Sequence, residues 1–150
     1  MSTENETYQG LFEEVRRLHN QLRWVGDHLH EGSGVTTAMR SLLFSLDREG
    51  PSTVPDLARE RLVSRQIIQT QVNELLKLNL VEPRKNPQHR RSKLLALTSK
   101  GQALVKEMLR REEDLLDKGG SPMPLGEVEA ASASLRTLRE HLEKLTIIAP

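Results

Sequence analysis

Gln66, Gln69, Thr70 and Asn73 follow one another at spacings of three, one and three. On a helix that spacing puts all four on one stripe. Their side chains suit the edges of base pairs. Glutamine and asparagine can bond adenine in a bidentate way, and threonine can touch a thymine methyl. Arg65, just ahead of them, can bridge N7 and O6 of guanine. A stripe that meets only water more often carries Glu and Lys pairs, whereas this one has no carboxylate until Glu74. An ordinary wet surface is the competing interpretation.

A basic segment follows. Between Arg59 and Lys93 nine lysines and arginines face three glutamates, a surplus of +6 in a chain whose net charge is +1. The rest of the chain is therefore acidic, and a basic patch on an acidic body is an electrostatic footprint for a polyanion. Arg90 and Arg91 fall near the tip of an expected hairpin, where an arginine can enter a minor groove. Arg84, Lys85 and Lys93 are better placed for phosphates, which position a protein without specifying sequence.

The local sequence supplies elements to hold these groups. Asp56 to Arg61 reads as a short helix with Val54, Leu57 and Ala58 inward, and Leu62-Val63 as a corner. Ser64 sits where its hydroxyl can cap the next helix. Ile68, Val72, Leu75 and Leu76 give that helix an apolar face. Asn79 can take the left-handed position that ends it. Leu80-Val81 and Leu94 to Leu97 are strand-like, Asn86-Pro87-Gln88-His89 reads as the turn between them, and Thr98 can cap a following helix.

Two amphipathic ends flank this head. Tyr8, Leu11, Val15, Leu18, Leu22, Val25 and Leu29 form a stripe about three heptads long. Gly32-Ser33-Gly34 stops it, and a second helix fits Thr36 to Arg48 with Met39, Leu42, Leu43 and Leu46 inward. Near the C-terminus, Ala103 to Lys118 reads as one helix, broken by Gly119-Gly120-Ser121-Pro122. The last helix carries Leu125, Val128, Leu135, Leu138, Leu142 and Leu145 on one side. Neither terminal stripe can bury itself alone. Packing within one chain would cover them, but pairing with a second copy is favoured, because a small head needs less helix than this. Tyr8, Leu11, Val15, Leu18, Leu135, Leu138, Leu142 and Leu145 are the expected dimerisation residues. His19 and His141 fall within these stripes, as interface or core residues.

Composition removes several classes. With no cysteine, disulfides and thiolate metal sites are excluded. Few aromatics weigh against single-strand binding by base stacking. No apolar run approaches the roughly 20 residues of a membrane span, and MSTENETYQG lacks the regions of a signal peptide, so a cytoplasmic location is expected. His28-x-His30-Glu31 has poor spacing for shared metal ligation, since residues two apart on a helix diverge. No catalytic motif appears. No enzyme activity, cofactor or metal is expected.

The order LA-x-x-x-LVSRQ, LL-x-x-NLVE, NPQHRR and LTSKG resembles the MarR (multiple antibiotic resistance regulator) family of winged-helix transcription factors. The close likeness covers about 50 residues, and the motifs are specific as a set and weak singly. The resemblance implies a homodimer that binds a pseudo-palindromic operator, often represses, and often releases DNA on binding a small molecule. It carries over to Arg65, Gln66, Gln69, Thr70 and the wing residue Arg91. It also implies an inducer site near Trp24, His28, Met39 and Phe44. Three positions depart from the family pattern. His89 stands where an aspartate usually pairs with the wing arginine, Pro83 where a polar residue is common, and Asn79 where glycine is usual. The first removes an ion pair that fixes the tip. Protonation of His89 would instead add positive charge there.

The expected fold is mainly α (α+β): a winged helix-turn-helix with a two-stranded wing, flanked by N- and C-terminal helices that form a dimerisation region. We expect one domain over 1–150, with 36–101 as the DNA-binding part and 8–31 and 102–147 as the helical dimerisation part. The expected partners are double-stranded DNA, a second copy of the chain and possible small-molecule inducers, with no membrane. The DNA-binding set is Ser64, Arg65, Gln66, Gln69, Thr70, Asn73, Arg84, Lys85, Arg90, Arg91 and Lys93. A winged-helix protein-interaction module and a non-specific DNA binder are the alternatives.

Overall fold

The computed structural model describes the backbone of residues 3–148 and the side chains of residues 3–145. Among these residues the order is α1 (Thr3–Leu29), α2 (Thr37–Glu49), α3 (Val54–Arg61), α4 (Arg65–Lys77), β1 (Val81–Arg84), β2 (Leu94–Leu97), α5 (Ser99–Gly119) and α6 (Leu125–Ile148). The chain forms two compact units, Met1–Glu112 and Glu113–Pro150, with the boundary inside α5. No helix of the described residues is long and apolar enough to cross a membrane.

In the first unit one apolar core draws on every element from α2 to the start of α5. Leu42, Leu43 and Leu46 of α2 meet Leu57 and Ala58 of α3, and Ile68, Val72 and Leu75 of α4. Leu80, Val81, Leu95 and Leu97 close one side, Val105 and Met108 another. The periodicity of these residues makes the helices, and their burial holds the helices together, since isolated helices this short are marginal in water.

Polar side chains set the helix starts. Thr36 accepts from the Met39 N–H, Thr53 from Asp56, Ser64 from Ile67 and Thr98 from Gly101. The Thr53 hydroxyl also bonds the Asp56 carboxylate, which lies below its usual range mainly for that reason and secondarily through Arg59.

β1 and β2 pair antiparallel, with Pro83 opposite Leu95. Leu95 exchanges both backbone bonds with Ser52, at 3.1 and 2.8 Å. Its polar groups therefore face away from β1, and Pro83 occupies a position with no ladder bond to lose. Leu80 serves both elements: its N–H completes the end of α4 and its carbonyl accepts from the Thr98 N–H at 3.1 Å.

α1 buries none of its residues. Two polar ties hold its C-terminal end. Asp27 accepts from the Thr37 hydroxyl and from Arg40. The Arg40 guanidinium is buried and lies so close to Gly26 that a Cβ there would come within 2.7 Å of it. The His30 imidazole is fully buried, with Nε2 3.0 Å from Glu112 Oε1. This long-range pair was not foreseen from the sequence.

Tyr8, Leu11, Val15, Leu18 and Leu22 of α1 are exposed, as are Leu125, Val128, Leu135, Leu142 and Leu145 of α6. Leu138 is half-buried. His19 and His141 are exposed, so neither is a core residue.

Candidate nucleic-acid interface

The two helices of the reading head end in the same way. At the end of α3 the Val63 N–H bonds the Ala58 carbonyl and Leu62 bonds Arg59. At the end of α4 Leu80 bonds Leu75 and Asn79 bonds Leu76. Both are Schellman closures, which need a left-handed residue at the turn. Those residues are Leu62 (φ 55) and Asn79 (φ 56). Asparagine tolerates this conformation, and leucine adopts it at a cost. The closure after α3 places Ser64 at the start of α4, with its N–H groups pointing outward.

On α4, Ile68, Val72 and Leu75 are buried, and Arg65, Gln66, Gln69, Thr70 and Asn73 are exposed. Leu76 departs from expectation. It is 38% exposed and lines a groove instead of the core. Two bonds order the polar stripe. Gln69 Nε2 donates to Asn73 Oδ1 at 2.9 Å, and the Thr70 hydroxyl donates to the Gln66 carbonyl at 3.0 Å.

A groove of about 660 Å³ runs between α4 and the wing. Val72, Leu76, Pro83 and Leu95 contribute apolar lining, while Arg65, Gln66, Gln69, Arg91 and Lys93 contribute polar groups. Residues chosen from two separate stretches of sequence thus share one surface. Arg84, Lys85, Asn86, Arg90 and Lys93 line a second concavity on the wing.

The wing tip lacks the usual ion pair but is braced by Asn86. Its Oδ1 accepts from the Gln88 N–H at 3.1 Å, and its Nδ2 donates to the Ser92 carbonyl at 3.0 Å. Backbone bonds from His89 to Asn86 and from Ser92 to His89, both 3.3 Å, complete the turn. An asparagine ahead of a proline in a turn was the available signal, since such side chains bond the backbone two residues on.

The basic window is smaller in the folded chain than on paper. Arg59 pairs with Asp56, Lys77 with Glu74 and Arg84 with Glu82. Arg61 donates to both the hydroxyl and the carbonyl of Ser41 at 2.8 and 2.6 Å. Burial pushes its guanidinium below the usual range, opposed by Glu60. Among the described residues Arg65, Lys85, Arg90, Arg91 and Lys93 form no ion pair and keep their charge for a partner.

The expected inducer residues fall in different surroundings. Met39 is a core residue at 6% exposure and Phe44 packs against that core. Trp24 is exposed and stacks on His28, with ring centroids 3.9 Å apart. His28 Nδ1 lies 2.8 Å from the Trp24 carbonyl, a local bond of the helix end.

The sequence profile of the MarR family matches residues 33–92, which span α2 to the wing tip. The chain belongs to the MarR family. Over 128 residues it is 32% identical to an uncharacterized protein of Mycobacterium bovis, covering 85% of this chain and 89% of that one. Among solved structures, a MarR family transcription regulator superposes with a TM-score of 0.78 at 24% identity, covering 97% of each chain. Streptococcus pneumoniae FabT, solved in complex with DNA, gives a TM-score of 0.73 at 20% identity, covering 92% of this chain and 99% of its own. At these identities the solved structures establish the winged-helix fold. The family assignment makes the chain a DNA-binding transcription regulator, and Ser64 to Asn73 lie where a winged helix carries its reading helix.

Proposed function

We propose that this MarR-family chain is a homodimeric repressor that reads a pseudo-palindromic operator. The observation that carries this reading is the groove on which the amide stripe of α4 meets Arg91 and Lys93 of the wing. In each subunit α4 lies in a major groove, with Gln66, Gln69, Thr70 and Asn73 toward the bases. Arg91 enters the flanking minor groove. Ser64 directs the N-terminal N–H groups of α4 at a phosphate. Arg84, Lys85, Arg90 and Lys93 meet the backbone, Arg84 by leaving Glu82 for a phosphate.

The exposed apolar faces of α1 and α6 support dimerisation through residues 8–31 and 102–147. Contiguous apolar surface of this kind marks an interaction site. Half-sites then lie about one helical turn apart. A small molecule that binds near Trp24 and His28 and releases the DNA completes the reading, which places the protein in the cytoplasm with no catalytic role.

The test is selection of bound duplexes from a random pool, with light scattering on the same sample. A palindromic consensus bound by a species of about twice the 17.0 kDa chain mass supports the reading. Affinity should fall steeply with salt. The four backbone-contacting cations of each subunit, eight in a dimer, set a slope of about −7 in log affinity against log salt. A well-folded dimer that enriches no sequence would overturn it and favour a protein partner for α4.

A further inference from the structure

We propose that α4 reads a thymine through the γ-methyl group of Thr70, and that the Thr70 hydroxyl donates to no base. This rests on the DNA-reading function proposed above.

Thr70 is exposed on the stripe shared with Gln66, Gln69 and Asn73. A threonine hydroxyl carries a single proton, and here that proton is engaged by the Gln66 carbonyl at 3.0 Å. In the major groove guanine N7 and O6, adenine N7 and thymine O4 all require a donor. An engaged hydroxyl has none to offer them and keeps only its lone pairs, which adenine N6 or cytosine N4 could meet. Bonding the i−4 carbonyl also fixes χ1 in one of the few rotamers open to a β-branched residue in a helix. With the oxygen turned back along the helix, the methyl is the group left for the partner. The thymine C5-methyl is the one apolar group on the major-groove edges.

The neighbouring amides fit an A·T-containing half-site. Gln69 Nε2 donates to Asn73 Oδ1, which leaves Gln69 Oε1 as an acceptor and Asn73 Nδ2 as a donor. Adenine offers the complement, a donor at N6 and an acceptor at N7.

The experiment uses the full chain and the duplex it enriches from a random pool. Each thymine is replaced in turn by uracil, which deletes only the C5-methyl. The expected result is one thymine in each half-site whose replacement weakens binding about fourfold, the effect of one buried methyl group. Thr70→Val keeps the methyl and should keep that discrimination. Thr70→Ser keeps the hydroxyl and should lose it, with helix content unchanged by circular dichroism in both variants. If no thymine is sensitive to uracil, the assignment is overturned. The same holds if Thr70→Ser still discriminates, or if Thr70→Val fails to. Absence of any enriched duplex for the wild-type chain would instead overturn the DNA-reading function itself.

Discussion

Asn86 holds the wing tip closed against Ser92, its Nδ2 donating to the Ser92 carbonyl at 3.0 Å while its Oδ1 accepts from Gln88. In this chain a neutral side chain ties the two ends of the tip together with two hydrogen bonds. The tip arginines lose no charge to a partner in the process.

Asn86→Ala should therefore loosen the tip without unfolding the head. Each bond is worth about 0.5–1.5 kcal/mol net, and the turn lies outside the core. The Gln88 amide proton, which loses its acceptor, should exchange faster by NMR, and that of Ser92, bonded to the His89 carbonyl, should follow as the turn opens, while the thermal midpoint moves little. Operator affinity should fall through the arginines that the tip positions. Unchanged exchange at both amides would show that the backbone bonds alone hold the turn.

Gln69 and Asn73 should act as one unit. Their amides are bonded at 2.9 Å, so removing either frees the other to rotate. In a double-mutant cycle on operator affinity, Gln69→Ala and Asn73→Ala should be non-additive by about 0.5–3 kcal/mol. Additive losses would mean that each amide meets its base independently.

Arg61 and Lys93 separate structure from binding. Arg61 is engaged with Ser41 and partly buried, whereas Lys93 is exposed on the groove. Arg61→Ala should lower the midpoint of urea unfolding and leave the salt dependence of DNA binding unaltered. Lys93→Ala should do the reverse, reducing the salt slope by about two, one for each subunit of the dimer. An equal effect of both on the slope would refute the division.

Gly101 is held by a close approach. A Cβ there would collide with the Leu80 carbonyl oxygen, and backbone cannot swing aside as a side chain can. Gly101→Ala should destabilise by at least the roughly 1–3 kcal/mol typical of overpacking, read by thermal unfolding. Thr98, which caps this helix and also donates to the Asn79 carbonyl at 2.7 Å, anchors the same seam.

Local features of the sequence predicted these elements well. Ser64 and Thr98 cap the helices they precede, and Asn79 takes the left-handed turn, because each effect acts within four residues. The amide stripe was legible for the same reason. Long-range relations were not. Nothing in the spacing ties His30 to Glu112 or Arg61 to Ser41, whereas the other engaged cations of the basic window, Arg59, Lys77 and Arg84, pair with acids only two or three residues away. Leu76 read as core from its apolar character, yet it lines the groove between α4 and the wing. Leu62 reads as part of a corner, but a leucine with positive φ has no local signature. The closure of α3 imposes it.

Pro83 has a consequence beyond the chain. β1 is the outer strand of the hairpin, and a bare outer strand is a template on which another polypeptide can extend the sheet. The backbone of residue 83 faces outward there, opposite Leu95, and proline leaves that rim without the hydrogen-bond donor an incoming strand would need. Glu82 and Arg84 flank it with exposed charge. A wing that must remain extended and accessible is thereby protected from zipping onto the wing of another molecule at high concentration.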